Sequence, residues 1–304
     1  MKRVKLIVGA SLLFAAGTAA AQADPDPAAP PPDGSGGAPV TAPEVGVAPG
    51  AWSTAVIDQP MTLHAGKLAV YGNLDVTRFS FTDPVSMMSS STTAEGIDLG
   101  VGYGVSDKLT VGVNYAFALH EFEIKGPLTL FGAATLLDKD KLTVGASANL
   151  TIDFGDTTTE TIQAGLGVRY KVTPKIAVYT GGSSPAGFSS ALGAVTETPR
   201  AGSVLGQHLT IGLNSNAPIT LDIPVGIGLQ AAPNAFLYAN TSIAHIKIAN
   251  SANAFIFADF IPVNVGLRYA VDQHLEVGAF ITLPDLENAQ FDLLVFGVGA
   301  RYFN

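Results

Sequence analysis

The chain has 304 residues, a formal net charge of −9, 13% charged residues against 47% apolar ones, and no cysteine. A soluble domain carries about 25% charged residues, so a surface this poor in charge has to face something other than water. Without cysteine there is no disulfide scaffold, thiolate metal site or cysteine-anchored lipoprotein, and the acidic balance argues against a nucleic-acid partner.

Residues 1–23 read as a cleaved secretory signal. Lys2, Arg3 and Lys5 form the basic start, Leu6 to Ala16 the apolar core, and Ala21-Gln22-Ala23 the small-residue cleavage site. A single anchoring helix is the competing reading, but the apolar run is short and ends in small residues. Beyond it no run of ~18 apolar residues remains, so the bilayer cannot be crossed with helices. A closed β-barrel is then the remaining way to satisfy backbone polar groups in lipid. Residues 24–60, rich in Pro, Ala and Gly, are expected to be a disordered periplasmic linker, either a passive spacer or a peptidoglycan-binding tether.

The barrel is expected over residues 61–304. The first strand begins near Lys67, with Leu68, Val70, Leu74 and Val76 on one parity and Asn73, Asp75 and Thr77 on the other. Residues 83–94 read as a surface loop. The second strand sets Ile97, Leu99, Val101, Tyr103 and Val105 against Gly100, Gly102 and Gly104. After a tight turn, Leu109, Val111, Val113 and Tyr115 continue the apolar face, with Asn114 opposite. The fifth strand alternates Leu142 to Phe154 against Thr143 to Asp153 without a break, a period of two that no helix shares. The seventh strand starts at Ile176 and dissolves after Thr180. Residues 185–207 form the longest irregular stretch, either a loop folded into the lumen or a surface loop. His208 to Leu213 is expected to be an outer continuation of the eighth strand, whose body is Ile219 to Gln230. The ninth strand, about 235–248, has mixed parity. The tenth spans 255–270, with Tyr269 outward, the eleventh runs from Leu275 to Leu283, and the last puts Leu294, Phe296, Val298, Ala300 and Tyr302 on its lipid face.

The chain repeats one hairpin. Tyr103-Gly-Val-Ser-Asp-Lys-Leu-Thr-Val111 returns as Tyr170-Lys-Val-Thr-Pro-Lys-Ile-Ala-Val178 and as Tyr269-Ala-Val-Asp-Gln-His-Leu-Glu-Val277. A fourth strand ends in Gly299-Ala-Arg-Tyr302. Short turns alternate with longer loops, the habit of up-and-down barrels with periplasmic turns and external loops. The count gives about 12 strands, with 10 and 14 as alternatives. Tyr103, Tyr170, Tyr269 and Tyr302 are expected to form the periplasmic aromatic girdle.

The last strand, Phe291-Asp-Leu-Leu-Val-Phe-Gly-Val-Gly-Ala-Arg-Tyr-Phe303, resembles the C-terminal assembly signal of Gram-negative outer-membrane β-barrel proteins of the porin-like family. The alternate apolar positions match, whereas Asn304 stands where that family usually has its final aromatic. The resemblance implies an all-β transmembrane barrel in the bacterial outer membrane, surrounded by its lipids. It also implies that the barrel-assembly machinery engages residues 291–304.

The inward positions are Asn149, Asp153, Arg169, Lys171, Asp222, His245, Lys247, Asn264, Arg268, Glu276 and Arg301, interleaved with glycines that are expected to leave room. A mixed polar wall of this kind suits a narrow channel for passive passage of small solutes. The same residues could pair across the lumen and close it, giving a non-conducting structural or surface protein. Arg169, Arg268 and Arg301 each precede a girdle Tyr and are expected to form a basic arc at the periplasmic mouth. That arc either biases ion passage or pairs with lumen carboxylates. The external loops are acidic, through Glu121, Glu123, Asp156, Glu160, Glu197, Asp285 and Glu287. An outer-membrane lipid hydrolase would need a Ser–His pair. None of the five histidines, His64, His120, His208, His245 and His274, has a Ser two residues downstream, so no enzyme is expected. No metal-ligand spacing or nucleotide loop is present, and no cofactor is expected.

Overall fold

The structure is a computed structural model. It describes residues 52–82, 89–119, 127–154, 158–180, 206–213, 219–248, 256–257, 263–283 and 293–304. The signal, residues 24–51 of the linker, most of the 185–207 stretch, and Glu121, Glu123, Asp156, Glu197, Asp285 and Glu287 lie outside them.

The described strands are β1 (Leu68–Thr82), β2 (Ser89–Ser106), β3 (Leu109–Ala118), β4 (Leu128–Asp138), β5 (Leu142–Asp153), β6 (Thr159–Lys171) and β7 (Ile176–Thr180). They continue with β8 (Gln207–Gly212), β9 (Ile219–Ala232), β10 (Ala235–Ile248), β11 (Ile256–Phe257), β12 (Val263–Ala270), β13 (Leu275–Leu283) and β14 (Leu293–Phe303). All pairings among these strands are antiparallel. β14 closes on β1, with Val70 opposite Tyr302, and β9 pairs β10, so the sheet has no free edge through these staves. Closure removes the unpaired backbone edge that lipid cannot satisfy.

Fourteen segments fill twelve staves. Along β6, residues 168–171 pair β7 and residues 161–166 pair β8. β7 and β8 therefore share one stave. The expectation that His208–Leu213 extends the eighth strand is corrected: this piece is the outer part of the seventh. The chain leaves that stave at Thr180, opposite Val168, and resumes at Gln207, opposite Leu166. Alternation in His208–Leu213 fits either neighbour, so sequence could not choose between them. β11 and β12 likewise share a stave against β10. Strand β2 begins at Ser89, so Ser89 to Ala94 belong to the wall, not to a loop.

The faces sort as a bilayer requires. Val70, Leu99, Val101, Val113, Leu166, Ile227, Val265, Leu267, Ile281 and Phe296 stand exposed on the outside. Asn73, Asp98, Thr110, Asn114, Thr129, Thr143, Asn149, Asn264 and Thr282 are buried on the inside. In β5 every odd position from Thr143 to Thr151 is buried, whereas the even positions are half-buried or exposed. Tyr103, Tyr170, Tyr269 and Tyr302 are 42–53% exposed beside the short turns. The mixed parity of β10 comes from a bulge: the register shifts between Ser242 and Ala244, leaving Ile243 without a partner on β9 and 65% exposed. Phe236, Tyr238, Asn240 and Ser242 face in below it. Above it the lumen face passes to positions 245 and 247, opposite Asp222 and Thr220.

Candidate functional site: the lumen and its periplasmic mouth

The expected glycine openings are occupied. A Cβ at Gly100 would lie 2.1 Å from the Tyr71 ring. The same holds for Gly112 under Phe131, Gly226 under Tyr179, Gly228 under Phe236, Gly266 under Tyr238 and Gly297 under Phe280, all at 2.0–2.4 Å. Each of these aromatics packs against a glycine of a neighbouring strand. These six glycines seat rings against the wall and do not widen the lumen. Inward aromatics were legible only in hindsight, as Tyr or Phe at the lumen parity one strand away from a glycine.

Residues 52–60, expected to belong to the linker, are instead built into the lumen. The strap 52–66 starts at Trp52, stacked on Phe303 with ring centroids 4.4 Å apart. It forms a one-turn 3-10 helix, Val56–Asp58, whose Val56 and Ile57 pack on Ala177, Tyr179, Phe236, Tyr238 and Phe280. It then returns across the lumen, with Met61 against Ala133 and Leu63 against Ala69 and Phe303. Val56, Ile57, Met61 and Leu63 are 4% exposed or less. Burying each such side chain is worth roughly 1.5–3 kcal/mol.

Polar anchors fix the strap on several staves. The Ile57 N–H donates to Gln230 Oε1 at 3.1 Å, and the Leu63 N–H to Thr110 Oγ1 at 2.8 Å. Lys171 Nζ donates to Asp58 at 2.6 Å. Thr62 shares a hydroxyl contact of 2.8 Å with Thr135 and donates to the Asp107 carbonyl at 2.9 Å. At the exit, Gly66 takes φ +77°, a left-handed turn that favours glycine. Its N–H bonds the Gly104 carbonyl at 2.8 Å. Ala65 donates to the Asp107 carboxylate, and this bond, with His64 beside it, holds that exposed carboxyl below the usual range. Asp272 in the β12–β13 turn is lowered likewise, by the N–H groups of His274 and Leu275.

At the centre sits Glu276, 4% exposed. It accepts Arg268 Nε at 2.5 Å and Gln59 Nε2 at 3.0 Å, and Arg301 stands 3.7 Å away. Arg268 and Arg301 of the expected arc therefore converge on one carboxylate. Arg169, half-buried, reaches Thr143 Oγ1 at 3.5 Å instead. Lys171, at the same end, is held by Asp58 of the strap. Asn149 and Asn264 are buried higher in the wall, and Asp153 and Asp222 are half-buried there. The side chains of His245 and Lys247 lie outside the described residues. The strap's part in this network carried no sequence signal beyond Trp52, Val56, Ile57, Met61 and Leu63, apolar residues scattered through a Pro/Ala/Gly-rich stretch.

Among the described residues, Asn114 has no partner at either amide atom, and Asn264 donates to Thr282 at 2.6 Å while its Oδ1 has none. Buried polar atoms left in this state are ordinarily met by water. Among the described residues no three His, Cys, Asp or Glu side chains gather to hold a metal.

The COG4313 outer membrane channel from Pseudomonas putida F1 is similar in structure, with a TM-score of 0.53 at 9% identity, over 80% of this chain and 97% of that one. The KdgM porin matches with a TM-score of 0.44 at 11% identity, and the NanC porin with 0.46 at 8%. They cover 76% and 77% of this chain and 98% of each partner. No family model matches the sequence, and no curated protein matches it. The likeness to the Pseudomonas putida channel is one of fold: this chain has the architecture of an outer-membrane β-barrel.

Proposed function

We propose that the protein is a narrow outer-membrane channel for passive passage of small polar solutes, with a periplasmic mouth narrowed by its own strap. The observation that carries this reading is that, among the described residues, both amide atoms of Asn114 and Oδ1 of Asn264 are buried without a partner in a polar lumen wrapped by an apolar exterior. Such a wall suits an aqueous path. Arg169, Arg268, Arg301 and Lys171 would meet the solute last, at the mouth, with Glu276 and Asp58 offsetting part of their charge. The barrel-assembly machinery would engage residues 291–304.

A second reading has its own support. The strap and the Arg268–Glu276–Arg301 network cross the mouth, as a non-conducting structural protein would require. Planar-bilayer recording separates the two. The mature chain is expected to give small steps, and a chain lacking residues 24–60 larger ones. Silence from both, with the barrels shown to be folded by heat-dependent electrophoretic mobility, removes the channel reading.

A further inference from the structure

Where the strap crosses the wall, a cavity of about 20 Å³ lies between them. That is room for one water-sized guest and no more. Ile57 and Pro60 of the strap and Phe236 of β10 give it apolar sides, and Gln59, Arg169 and Arg268 also line it. Two guanidiniums thus meet at one small, largely apolar space.

The two arginines are not equally satisfied. Arg268 is bound to Glu276 and donates from Nη2 to Gln59 Oε1 at 3.4 Å. Arg169 makes only a long contact, from Nη2 to Thr143 Oγ1 at 3.5 Å, and its Nε is enclosed with no partner among the described residues. Asp138 and Asp58 act on Arg169 across space, and Arg268 opposes its charge. Both carboxylates already serve other groups: Asp138 accepts the Thr143 hydroxyl at 3.0 Å, and Asp58 holds Lys171 at 2.6 Å. A guanidinium cannot shed its proton to escape burial. An enclosed charge is tolerated when an opposite charge meets it.

We propose that this cavity binds one small monovalent anion of the halide class, between the guanidiniums of Arg169 and Arg268 and beneath the strap. Its volume turns away carboxylates and phosphates. Its apolar sides favour an ion that gives up water easily, as chloride and bromide do, and guanidinium is itself weakly hydrated. A low local dielectric strengthens the attraction between such an ion and the two cations. The ion would touch β6 and β12 on one side and the strap on the other, and so help to hold the strap in its seat. The proposal rests on that seat and not on conduction, so it stands or falls apart from the channel reading.

The test uses the mature protein folded into detergent, with chloride as the probe. Sodium gluconate, too bulky for the cavity, keeps the ionic strength fixed. Wild type is expected to broaden the chloride-35 magnetic resonance line, and bromide to reverse the broadening by competition. Arg169→Gln removes the guanidinium whose Nε lacks a partner, and a chain lacking residues 24–60 removes the strap side of the cavity. Each should weaken binding at least about tenfold, read as loss of the excess line width. The control Lys175→Gln, which removes an exposed cation from the β6–β7 turn, should leave the broadening unchanged. Heat-dependent electrophoretic mobility checks that each barrel is folded. No excess broadening by the folded wild type, the cavity then holding water only, overturns the proposal. So does broadening that survives in either folded variant, or that falls as far with Lys175→Gln as with Arg169→Gln.

Discussion

At the scale of single residues, two glycines that look alike in sequence have opposite roles. Gly104 lies beneath the strap: a Cβ there would come 2.0 Å from the His64 carbonyl oxygen, a backbone atom that cannot turn aside. Gly132, in β4, has nothing within 4 Å of the same position. Gly104→Ala should therefore push the strap from its seat and cost about 1–3 kcal/mol, the range of an overpacked interior. Gly132→Ala should stay within about 0.5 kcal/mol of wild type, as substitutions in open space do. Urea unfolding into and out of lipid vesicles measures both. Equal losses at the two positions would mean that glycine is needed for strand conformation alone. Buried Glu276 belongs to the same scale: its carboxylate answers two guanidiniums and the Gln59 amide, so the strap is tied to the wall through charge as well as apolar contact.

At the scale of elements, the strap is the part that composition hides. Its partners lie far along the chain: Gln59 meets Glu276 and Ile57 meets Gln230. No local pattern announces such contacts. The wall strands are the reverse case. Leu142 to Asp153 reads as a strand because each residue's face depends only on its own parity, and burial in β5 follows that parity. Reading failed where parity was interrupted, at the bulge beside Ile243 and at the broken seventh stave, because a register shift is set by neighbouring strands. The inward arginines were legible as positions, but their convergence on Glu276 was not. Since Ile57 is 1% exposed among Ala177, Tyr179, Phe236 and other rings, Ile57→Asp would bury a carboxylate among apolar groups. The strap should then leave the lumen while the barrel stays closed. Protease added to the periplasmic face of reconstituted protein should cut within residues 52–63 at least about tenfold faster in the variant, because cleavage follows the population of the open state. Unchanged protection with an intact barrel would show that the polar anchors alone hold it.

At the scale of the whole molecule, the exposed apolar rows decide between a barrel in lipid and a sandwich in water. A sandwich would bury them between two sheets, yet Leu99, Ile227 and Val265 are each more than half exposed while Asn264 and Thr282 are fully enclosed. No helix among the described residues is long and apolar enough to cross a membrane, and the closed barrel carries its apolar rows on the outside. The bilayer then imposes a depth scale that a water-soluble protein would lack. Tyr103 sits near the β2–β3 turn, at the level expected for the interface, and Leu99 is four residues further into the wall. At ~3.3 Å per residue and a tilt of ~45°, that is roughly 9 Å deeper, close to the midplane of a belt about 25 Å tall. Both side chains point outward and both are about half exposed, at 52% and 47%. In water, arginine at either position would be harmless. In lipid, Leu99→Arg should cost about 2–4 kcal/mol and Tyr103→Arg only about 0–1, since the guanidinium there reaches the headgroups. Folding titrations in vesicles give both numbers, and the same pair in detergent micelles should show a smaller difference because the apolar layer is thinner and less ordered. Equal costs in vesicles would contradict the depth assignment and with it the transmembrane placement of the barrel.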